Sequence, residues 1–582
     1  MIFYKKISTI IDGSLKKYIL VLLLLLTFAT LLEIVSLALI IPLIYIVIDN
    51  PIGGLLNLAN NFNLNEHFIN YLKSLKKIDQ KLITYFILIL FVLIYFLKNL
   101  FLLVLNYLSA TFIAKTNVFL SKQAVNFFIK SKYENIIKFN FSNLFSTVLN
   151  EINVFTYGVL YSLINIISEL TVLFSILILL VIIEGPQTLI VFAFLISSSL
   201  VFLLFVKKRI KFWGKQRQKY DKEKIDILEK TIRSIKDIKF YRLEKVFLSL
   251  FINKDLNLSL FQRNNTVVQN LPKLLLEFII VLTISIYIAI SKSLTTSNLE
   301  PLVVIALYAA FAVRLLPSLN KIMFNFQSFI YSKPSVERLF KYKKKLTISK
   351  GINLKKENNI ESKKIEFKNQ ILLNNISFGF KKKLIIHKLK LKIKKKDCIG
   401  IFGASGSGKT TLADILSGLL DDYRGKISID GKIVNKINTL NGIVSYSQQN
   451  PIILPETLET NIAFGIRKKD IHQKKIKKII NLCHLNELQN KKFSSIGSNI
   501  SGGQKQRISI ARALYFSNEL LILDESTSGL EANLEEKIIK NIKKEFNNIS
   551  LLIISHNLKS LKNCNKIYEF KNKKLEKKSI KF

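Results

Sequence analysis

A glycine-rich stretch in the second half of the sequence has the residue types that hold a phosphate chain. It reads GASGSGKT and matches the pattern G-x-x-x-x-G-K-[ST]. Glycines let backbone N–H groups approach phosphate oxygens, Lys409 can reach the terminal phosphates, and the Thr410 hydroxyl can ligate Mg²⁺. A strand-like CIGIF precedes the stretch and a helix-like TTLADILSGLL follows it. This context predicts a phosphate-binding loop, formed by Gly403, Ala404, Ser405, Gly406, Ser407, Gly408, Lys409, Thr410 and Thr411.

Two consecutive carboxylates follow another apolar run, LLILDE, near the end of the sequence. We expect this run to be a buried strand that ends at Asp524 and Glu525. Asp524 is placed to hold Mg²⁺ through water, and Glu525 is placed to polarise an attacking water as general base. Such a pair would be weak evidence by itself, but the phosphate loop lies in the same chain. The two motifs together predict hydrolysis of a bound nucleotide.

A short polar segment, ISGGQ, lies between these two motifs. Ser501 and Gln504 have the spacing of a capping box, which predicts the start of a helix whose backbone N–H groups face outward. The segment can be read as an ordinary capped helix. However, Gly502 and Gly503 leave bare backbone at its tip, which an anion can approach.

The order of phosphate loop, ISGGQ and Asp-Glu pair resembles the ATP-binding cassette (ABC) transporter family. The resemblance covers essentially the whole chain, because apolar segments before one cassette are the layout of an exporter-type half-transporter. It implies ATP and Mg²⁺ as cofactors and ATP hydrolysis coupled to transport. It also implies a dimer, most simply a homodimer, in which one chain closes over the nucleotide held by the phosphate loop of the other. The residues that would do so are Ser501, Gly502, Gly503 and Gln504.

The same resemblance assigns roles to three more residues. Phe380, in ISFGF, stands where the family stacks an aromatic ring on adenine. Gln449, in YSQQNP, stands at the loop that senses Mg²⁺ and faces the membrane domain, with Gln448 as the second choice. His556 follows the strand SLLIIS, where the family has a histidine that contacts the terminal phosphate. The expected catalytic residues are Glu525, His556 and Gln449, and the expected metal-site residues are Thr410, Gln449 and Asp524.

The sequence also departs from the family pattern. Ile500 stands where the family usually has Leu, and Glu531 stands where it normally has Asp. The stretch SSIGSNISGG before the signature is shorter than usual. None of these changes removes a catalytic group, so both ATP sites of a homodimer are expected to hydrolyse ATP.

Long apolar runs occur before about residue 330, in the part of the chain that precedes this site. Six of them reach the ~20 residues that a helix needs to cross the hydrocarbon core. After a Lys-rich connector, short Ile/Leu/Val strands alternate with helical patterns, which predicts an α/β domain with a mainly parallel sheet. The predicted fold is an all-α membrane domain fused to an α/β P-loop domain. The predicted ranges are a transmembrane domain at 1–330, with helices at about 18–48, 82–114, 153–183, 187–206, 272–292 and 300–326, a linker at 331–364 and a nucleotide-binding domain at 365–582.

Basic residues outnumber acidic ones, with 86 Lys and Arg against 40 Asp and Glu. On a soluble protein this excess would suggest a nucleic-acid partner, but the six membrane-length segments argue against one. The long links between segments are rich in Lys and Arg, and the positive-inside rule places them and both termini in the cytoplasm. The sequence therefore predicts a multi-pass protein of the inner membrane without a nucleic-acid partner. The first outer loop, at 50–81, has the pattern of a short helix on the membrane surface, with a solvated loop as the alternative.

Three cations interrupt the apolar segments: Lys98, Lys273 and Arg314. A charge at that depth is costly and rare without a partner or a function. Embedded glutamates offer structural pairing, and long basic side chains can also reach an interface; these glutamates are Glu33, Glu169 and Glu277. Alternatively, the cations of two chains face a shared cavity that suits a phosphate or pyrophosphate headgroup with its lipid tails in the bilayer.

The stretches EIVSLALIIP, LPKLLLE and RLLPSLNK look like those of bacterial flippases of lipid-linked oligosaccharides. In those flippases basic residues are implicated in handling the pyrophosphate, so the resemblance implies this role for Lys98, Lys273 and Arg314. The expected cargo is a polyprenyl-pyrophosphate oligosaccharide. An exporter of lipid A, peptides or drugs is the alternative within the family. Two alternatives lie outside the family. One is an ATP-gated channel, and Glu525 argues against it. The other is a nucleic-acid-stimulated ATPase, and the membrane segments argue against it.

Overall fold

A computed structural model describes most of the chain. The described residues are 2–11, 13–47, 56, 67, 70, 80–137, 141–184, 188–294, 300–357, 366–380, 383–434, 440, 442–489, 491–493, 500–516, 519–525 and 531–579. The chain divides into two compact units. The helical unit comprises Met1–Ser131 and Phe139–Ile352, and the nucleotide-binding unit comprises Lys132–Lys138 and Asn353–Phe582.

Most of the described residues of the helical unit lie in long helices. Its helices are α1 (Ile2–Ile10), α2 (Gly13–Ala38), α3 (Ile40–Val47), α4 (Gln80–Lys130), α6 (Phe141–Ser146), α7 (Ile152–Phe155), α8 (Ser162–Glu184), α9 (Thr188–Arg233), α10 (Ile235–Phe240), α11 (Glu244–Leu294) and α12 (Glu300–Glu357), while α5 (Tyr133–Ile137) belongs to the nucleotide-binding unit. Two π-helical segments, Thr147–Glu151 and Thr156–Tyr161, join α6, α7 and α8 into one nearly continuous rod. Wider π turns shift the side chains that follow them around the helix axis.

Four helical stretches in the described part of the chain are long and apolar enough to cross a membrane: Leu15–Ala38, Lys81–Lys130, Ser142–Ile182 and Glu244–Leu282. Many of their large apolar side chains face outward, including Phe86, Ile89 and Phe96 of α4. Such a surface suits lipid, because hydrocarbon takes the place of water around it. The predicted segments at 187–206 and 300–326 fall on α9 and α12, whose side chains are described only in part, and the count of six stays a prediction. The predicted surface helix at 50–81 lies almost wholly outside the described residues.

Two glycines let helices of this unit approach closely. A Cβ at Gly214 of α9 would lie 2.2 Å from the backbone oxygen of Tyr331 in α12. A Cβ at Gly158 would lie 2.0 Å from the hydroxyl oxygen of Ser332. Because no side chain fits in either space, these glycines fix how closely α12 packs against its neighbours.

The nucleotide-binding unit contains two sheets and short helices. Its strands are β1 (Gln370–Phe380), β2 (Lys383–Lys394), β3 (Cys398–Phe402), β4 (Arg424–Ile429), β5 (Lys432–Ile433), β6 (Val444–Ser447), β7 (Leu520–Asp524), β8 (Ser550–Ile554), β9 (Lys566–Lys571) and β10 (Lys574–Lys578). Its remaining α-helices are α13 (Lys409–Leu416), α14 (Leu458–Ile462), α15 (Gln473–Leu482), α16 (Gly502–Phe516) and α17 (Ala532–Glu545).

The six-stranded sheet has the order β10-β9-β3-β8-β7-β6, and only β10 is antiparallel to its neighbour. The strands β7 and β8 are buried along their whole length, which is why they read as unbroken apolar runs. The mainly parallel sheet agrees with the predicted α/β fold. The second sheet is antiparallel, with the order β2-β1-β4-β5.

The short helix α5 lies in the sequence of the helical unit but packs with the nucleotide-binding unit. The Lys132 ammonium is 2.7 Å from a carboxylate oxygen of Asp421. A carboxylate oxygen of Glu134 accepts hydrogen bonds from the backbone N–H groups of Asp421 and Asp422, at 3.2 and 3.1 Å. One cation and one carboxylate of this segment thus hold the turn that follows α13.

Candidate functional site

Three parallel strands of the six-stranded sheet end at the same edge. Ile554 of β8 stands opposite Ile401 of β3 and also opposite Asp524 of β7. The phosphate loop, Glu525 and His556 follow these strand ends almost directly. The topology therefore brings together residues that lie far apart in the sequence.

The phosphate loop connects β3 to α13 and contains three glycines with positive φ. Gly408, the N-cap of α13, has a φ of 119°, and a Cβ there would lie 2.9 Å from Ile385. A Cβ at Gly403 would lie 2.6 Å from the backbone oxygen of Phe570. Other residues would strain the backbone or clash at these points. The exposed positions Ala404, Ser405 and Gly406 form the open side of the loop.

Lys409 is buried at the start of α13, and its ammonium folds back over the loop. It donates hydrogen bonds to the backbone oxygens of Gly403 and Ala404, at 2.9 and 3.0 Å. Burial lowers the pKa of Lys409, while the carboxylates of Glu525 and Asp524 act in the opposite direction. A phosphate near this ammonium would add the negative charge that such a buried cation favours.

Asp524 is almost completely buried and keeps one oxygen ready for a ligand. Its Oδ2 accepts a hydrogen bond from the Tyr446 hydroxyl at 2.9 Å, and the Thr410 side chain also hydrogen-bonds to this carboxylate. Its Oδ1 has no hydrogen-bond partner among the described residues. Burial raises the pKa of Asp524. A carboxylate and a hydroxyl side by side match the hard oxygen ligands that Mg²⁺ prefers, so the residues present fit this metal.

A second acid, Asp414 of α13, lies close to Asp524. Burial and the charge of Asp524 raise the pKa of Asp414 to about 6, and the nearby Tyr446 hydroxyl acts against this shift. Burial and the nearby carboxylates also raise the pKa of Tyr446 itself. Neither Asp414 nor Tyr446 could be predicted from the sequence, because neither belongs to a motif and only the packing of the folded domain brings them to Asp524.

Glu525 is held between the two other residues predicted to be catalytic. The Gln449 amide donates a hydrogen bond to its Oε2 at 2.5 Å, and the Nε2 of His556 contacts its Oε1. The backbone of Glu525 has a φ of 46°, in the left-handed region that a non-glycine residue rarely occupies. Strained backbone of this kind is found preferentially at active sites. The structure thus brings Gln449, Glu525 and His556 together.

The predicted capping box at the ISGGQ segment is present. The Ser501 backbone N–H donates to the Gln504 side chain at 2.9 Å, and the Gln504 N–H donates to the Ser501 hydroxyl at 3.2 Å. These bonds begin α16 one residue after Ser501. A Cβ at Gly502 would meet nothing within 4 Å in this chain. The tip of α16 is therefore open, and packing within the chain does not require a glycine there.

The contacts of the other predicted site residues say less about their roles. Phe380 ends β1, is half-buried and packs edge-on against Phe378 with ring centroids 5.1 Å apart. Glu531 is exposed and is the N-cap of α17, without a side-chain capping bond. The short stretch before the signature, at 494–499, lies outside the described residues.

Residues 386–528 match the family model described as ABC transporter. This domain is an ABC transporter cassette. The match indicates that the cassette uses ATP and Mg²⁺, in agreement with the predicted cofactors. Its phosphate loop, its Asp524 and its α16 tip are the features on which the resemblance was based.

Several relatives are similar to part of this chain. An "ATP-dependent lipid A-core flippase" of Desulfotalea psychrophila is 34% identical over 188 residues, which are 31% of this chain and 32% of that protein. A "Sophorolipid transporter" of Starmerella bombicola is 33% identical over 29% of this chain and 14% of that protein. A "Multidrug resistance protein sirA" of Leptosphaeria maculans is 32% identical over 29% of this chain and 14% of that protein. The matched segment thus spans about a third of these relatives or less.

The fold of the whole chain is that of an ABC exporter. A solved structure of a bacterial Atm1-family ABC exporter with ATP bound matches with a TM-score of 0.74, covering 98% of this chain and 96% of that one. The identity is 16%, so the likeness concerns the fold. It agrees with the predicted combination of a helical membrane region and a C-terminal cassette.

Two of the three predicted headgroup cations meet at one buried carboxylate in the helical unit. Arg314 Nε lies 2.6 Å from Glu33 Oε1, and Lys98 Nζ lies 3.6 Å from Glu33 Oε2. Lys98 also lies over the Tyr95 ring, 4.0 Å from its centroid. The side chain of Lys98 is 6% exposed and that of Arg314 is 28% exposed. With two cations and one carboxylate, this group has a formal charge of +1.

Lys273 does not join this group in the chain. Its ammonium lies 4.0 Å from Glu277, one turn further along α11, and both side chains are exposed. The third embedded glutamate, Glu169, pairs with Lys321 at 2.9 Å. The buried Glu169 thus has a close partner, whereas the Lys273–Glu277 pair is exposed and at the limit of contact.

Another buried charge cluster was not visible from the sequence. Glu151 is fully buried, with Arg217 at 3.5 Å and Arg338 at 3.6 Å. The Gln218 amide donates to the same carboxylate at 2.9 Å. These residues come from three separate helices, and nothing in their spacing connects them. Periodicity places each residue on a helix but does not tell which helices meet.

Proposed function

We propose that the chain is an ATP-driven flippase that acts as a homodimer and moves a lipid-linked oligosaccharide, a polyprenyl-pyrophosphate glycan, from the cytoplasmic to the outer face of the inner membrane, with both termini in the cytoplasm. The proposed ATP hydrolysis is supported by Glu525, which is held between Gln449 and His556 beside the phosphate loop. The cargo part rests on the group formed by Glu33, Lys98 and Arg314.

In the proposed reaction Lys409 and the loop N–H groups bind the phosphates of ATP, with Phe380 at the adenine. Thr410 and Asp524, with Gln449 nearby, would hold Mg²⁺, which neutralises charge on the phosphates when it is bound. Glu525 accepts the proton of the attacking water as the water oxygen bonds to the terminal phosphorus and the bond to ADP breaks. His556, next to Glu525, contacts the terminal phosphate. ADP and inorganic phosphate are the products.

The dimer is supported by the open tip of α16. Gly502 has free space around it and is exposed, so the segment is shaped for something outside its own chain. In the proposed homodimer Ser501, Gly502, Gly503 and Gln504 of one chain complete the ATP site of the other, where helix N–H groups and the helix dipole favour phosphate.

The group at Glu33 is suited to bind an anionic headgroup without leaving a buried charge unpaired. Arg314 is the more accessible cation, and its guanidinium can bind a phosphate through two parallel hydrogen bonds. When Arg314 turns to the headgroup, Lys98 still compensates the Glu33 carboxylate. Arg314 is thus the contact residue and Lys98 a positioning residue, while Lys273 would add a further cation from α11.

ATPase activity in lipid nanodiscs tests this cargo. Polyprenyl-pyrophosphate oligosaccharide should stimulate hydrolysis, and Arg314→Ala should lose the stimulation but keep the basal rate. Lys98→Met should lose it as well, since Glu33 then neutralises Arg314. The double variant Lys98→Met/Glu33→Gln restores a charge of +1 and should regain it. Lys115→Met, on the same helix but paired with Tyr18, is the matched control.

A lipid A-core flippase is the second candidate, because the relative of that name is 34% identical over 31% of this chain. Lipid A-core is therefore the second lipid of the same assay. Stimulation by lipid A-core alone would replace the proposed cargo. Stimulation by the polyprenyl lipid that is unchanged in both the Arg314 and Lys98 variants would refute the proposed headgroup site.

A further inference from the structure

Two of the three cysteines in the sequence meet inside the nucleotide-binding unit, although 166 positions separate them. Cys398 is the first residue of β3 and is 2% exposed, whereas Cys564 lies just before β9 and is half-buried. Their sulfur atoms are 3.5 Å apart, within hydrogen-bonding distance for two thiols. Only a small approach therefore separates them from the ~2.05 Å of a disulfide bond.

The backbone holds the two cysteines side by side. The Cys398 N–H donates to the side-chain oxygen of Asn565 at 2.8 Å, and the Asn565 N–H donates to the Cys398 backbone oxygen at 2.9 Å. Gly400, two residues further along β3, leaves space for the second sulfur, because a Cβ there would lie 3.2 Å from the Cys564 sulfur. The contact between the sulfurs thus follows from how the two segments pack.

A cation lies beside the two sulfurs. The exposed Lys543 of α17 donates a hydrogen bond to the backbone oxygen of Asn563, the residue before Cys564. The hydrogen bond with Cys564 lowers the pKa of Cys398, the Lys543 ammonium adds to this effect, and burial acts against it. Hydrogen bonding with Cys398 and burial raise the pKa of Cys564. Because the thiolate is the reactive form of cysteine, the pair contains one activated sulfur and one sulfur that solvent can reach.

The third cysteine, Cys483, has a different environment. It is fully buried in the hydrophobic core, and burial raises its pKa to about 12. Buried cysteines of this kind are inert. Cys483 therefore provides a control within the same chain.

We propose that Cys398 and Cys564 form a reversible redox-modification site, at which hydrogen peroxide converts the two thiols into a disulfide that slows ATP hydrolysis. This inference does not depend on the identity of the cargo. A disulfide in a reducing compartment is transient, which suits a site that responds to oxidant and is reset by thiols.

The reaction has two steps. When the pair has lost one proton, the remaining proton can reside on either sulfur, so the accessible Cys564 can attack the peroxide. A sulfur–oxygen bond forms, the oxygen–oxygen bond breaks and one water leaves. The Cys398 thiolate then attacks the Cys564 sulfur, the disulfide bond forms, and hydroxide leaves with a proton as the second water. The cysteines lose two electrons and two protons, which reduce the peroxide to two waters.

The disulfide would affect the ATP site through the segment that contains Cys564. Since β3 is buried between β8 and β9, Cys564 must make most of the movement towards Cys398. Its segment runs from His556 to β9, and the Phe570 backbone oxygen of β9 would lie 2.6 Å from a Cβ at Gly403 of the phosphate loop. Misplacing reacting groups by about 1 Å can cost about 100-fold in rate, so we expect a loss of about 10-fold from this indirect displacement.

Peroxide treatment of the reduced full-length protein in nanodiscs tests the proposal. Mass spectrometry of the digested protein should find the peptides of Cys398 and Cys564 joined, with the loss of two hydrogens. The chain should migrate as a single chain on a non-reducing gel, because the bond forms within it. ATPase activity should fall about 10-fold as the joined peptides accumulate. Dithiothreitol should separate the peptides and restore the rate.

Three cysteine variants separate this site from other oxidative damage. Cys564→Ser and Cys398→Ala should each hydrolyse ATP before treatment and keep that rate in peroxide, and neither should give joined peptides. Cys564 is half-buried, so its serine variant should fold even if the change at the buried Cys398 destabilises the cassette. Cys483→Ala should respond to peroxide as the parent does.

A pair of lysine variants tests the activation of the thiolate. Lys543→Met should slow formation of the disulfide several-fold at pH 7, because it removes a charge that lowers the pKa of Cys398. Lys540→Met, on the same helix but paired with Glu536 at 2.7 Å, should leave the rate of oxidation unchanged. Equal rates in the two variants would overturn the role of Lys543.

The proposed site is wrong if peroxide gives no joined peptides, or if it oxidises the two cysteines separately to sulfinic acids. The proposed effect on hydrolysis is wrong if the disulfide forms and the ATPase rate stays the same. It is also wrong if Cys564→Ser and Cys398→Ala lose activity in peroxide as fast as the parent, since the damage would then lie elsewhere.

Discussion

At the scale of single residues, Glu525 combines a strained backbone with a tightly held side chain. Its left-handed φ directs the carboxylate to where Gln449 and His556 can both reach it. Glu525→Gln keeps the shape and an acceptor for Gln449 but cannot take a proton. We expect ATP hydrolysis to fall about 100-fold or more, the usual range for loss of a general base.

The control for Glu525→Gln is nucleotide binding. ATP with Mg²⁺ should still raise the unfolding temperature of the variant, since a ligand that binds only the folded state stabilises it. A variant that hydrolyses ATP at the parent rate would assign the base to another group. A variant that no longer binds ATP would show a structural role for Glu525 instead.

Asp414 provides a prediction on pH. Its pKa in the folded protein is about 6, above the ordinary value of 3.8, so the folded state binds this proton more tightly than the unfolded state. The stabilising contribution is therefore complete below about pH 4 and is lost as the pH rises towards 6. Asp414→Asn should remove this decline and raise the unfolding temperature of the nucleotide-free protein at pH 7. An identical pH profile for parent and variant would exclude the effect.

At the scale of elements, the start of α16 has adjacent residues with different expected roles. Ser501 caps the helix, whereas Gly502 is expected to take part in binding. Ser501→Ala removes an N-cap acceptor and should destabilise the protein by about 1 kcal/mol. Gly502→Ala adds a methyl group where nothing lies within 4 Å, so stability should stay the same. If the tip completes the ATP site of a second chain, Gly502→Ala should still reduce ATPase activity. Full activity in Gly502→Ala would argue against that closure.

The cassette elements that carry the ATP site were largely predictable from the sequence, whereas their supporting contacts were not. A phosphate loop, a capping box and a strand ending in Asp-Glu are local patterns, because each is made within a few consecutive residues. The Tyr446 hydroxyl reaches Asp524 from 78 positions away, and Arg314 reaches Glu33 from 281 positions away. Such pairs depend on which elements pack together. The two π segments, Thr147–Glu151 and Thr156–Tyr161, have no known local pattern either.

At the scale of the whole molecule, the proposed homodimer places residues of both chains at each ATP site. Lys409→Ala disables the phosphate loop, and Gly502→Asp places a negative charge at the opposing tip. Each homodimer should be inactive. Coexpression of the two variants should restore hydrolysis, because a mixed dimer contains one site with both parts intact. No activity in a purified mixed dimer, isolated through two different tags, would contradict shared sites.

The placement of α5 has a practical consequence for dissecting the protein. A cassette cut at the apparent end of the helical unit, near residue 353, would lack Lys132 and Glu134. Two backbone N–H groups at Asp421 and Asp422, and the Asp421 carboxylate, would lose their partners. Isolated cassettes made for crystallography or assays should therefore carry the 132–138 peptide, fused or supplied separately. The boundary of this folding unit does not follow the order of the chain.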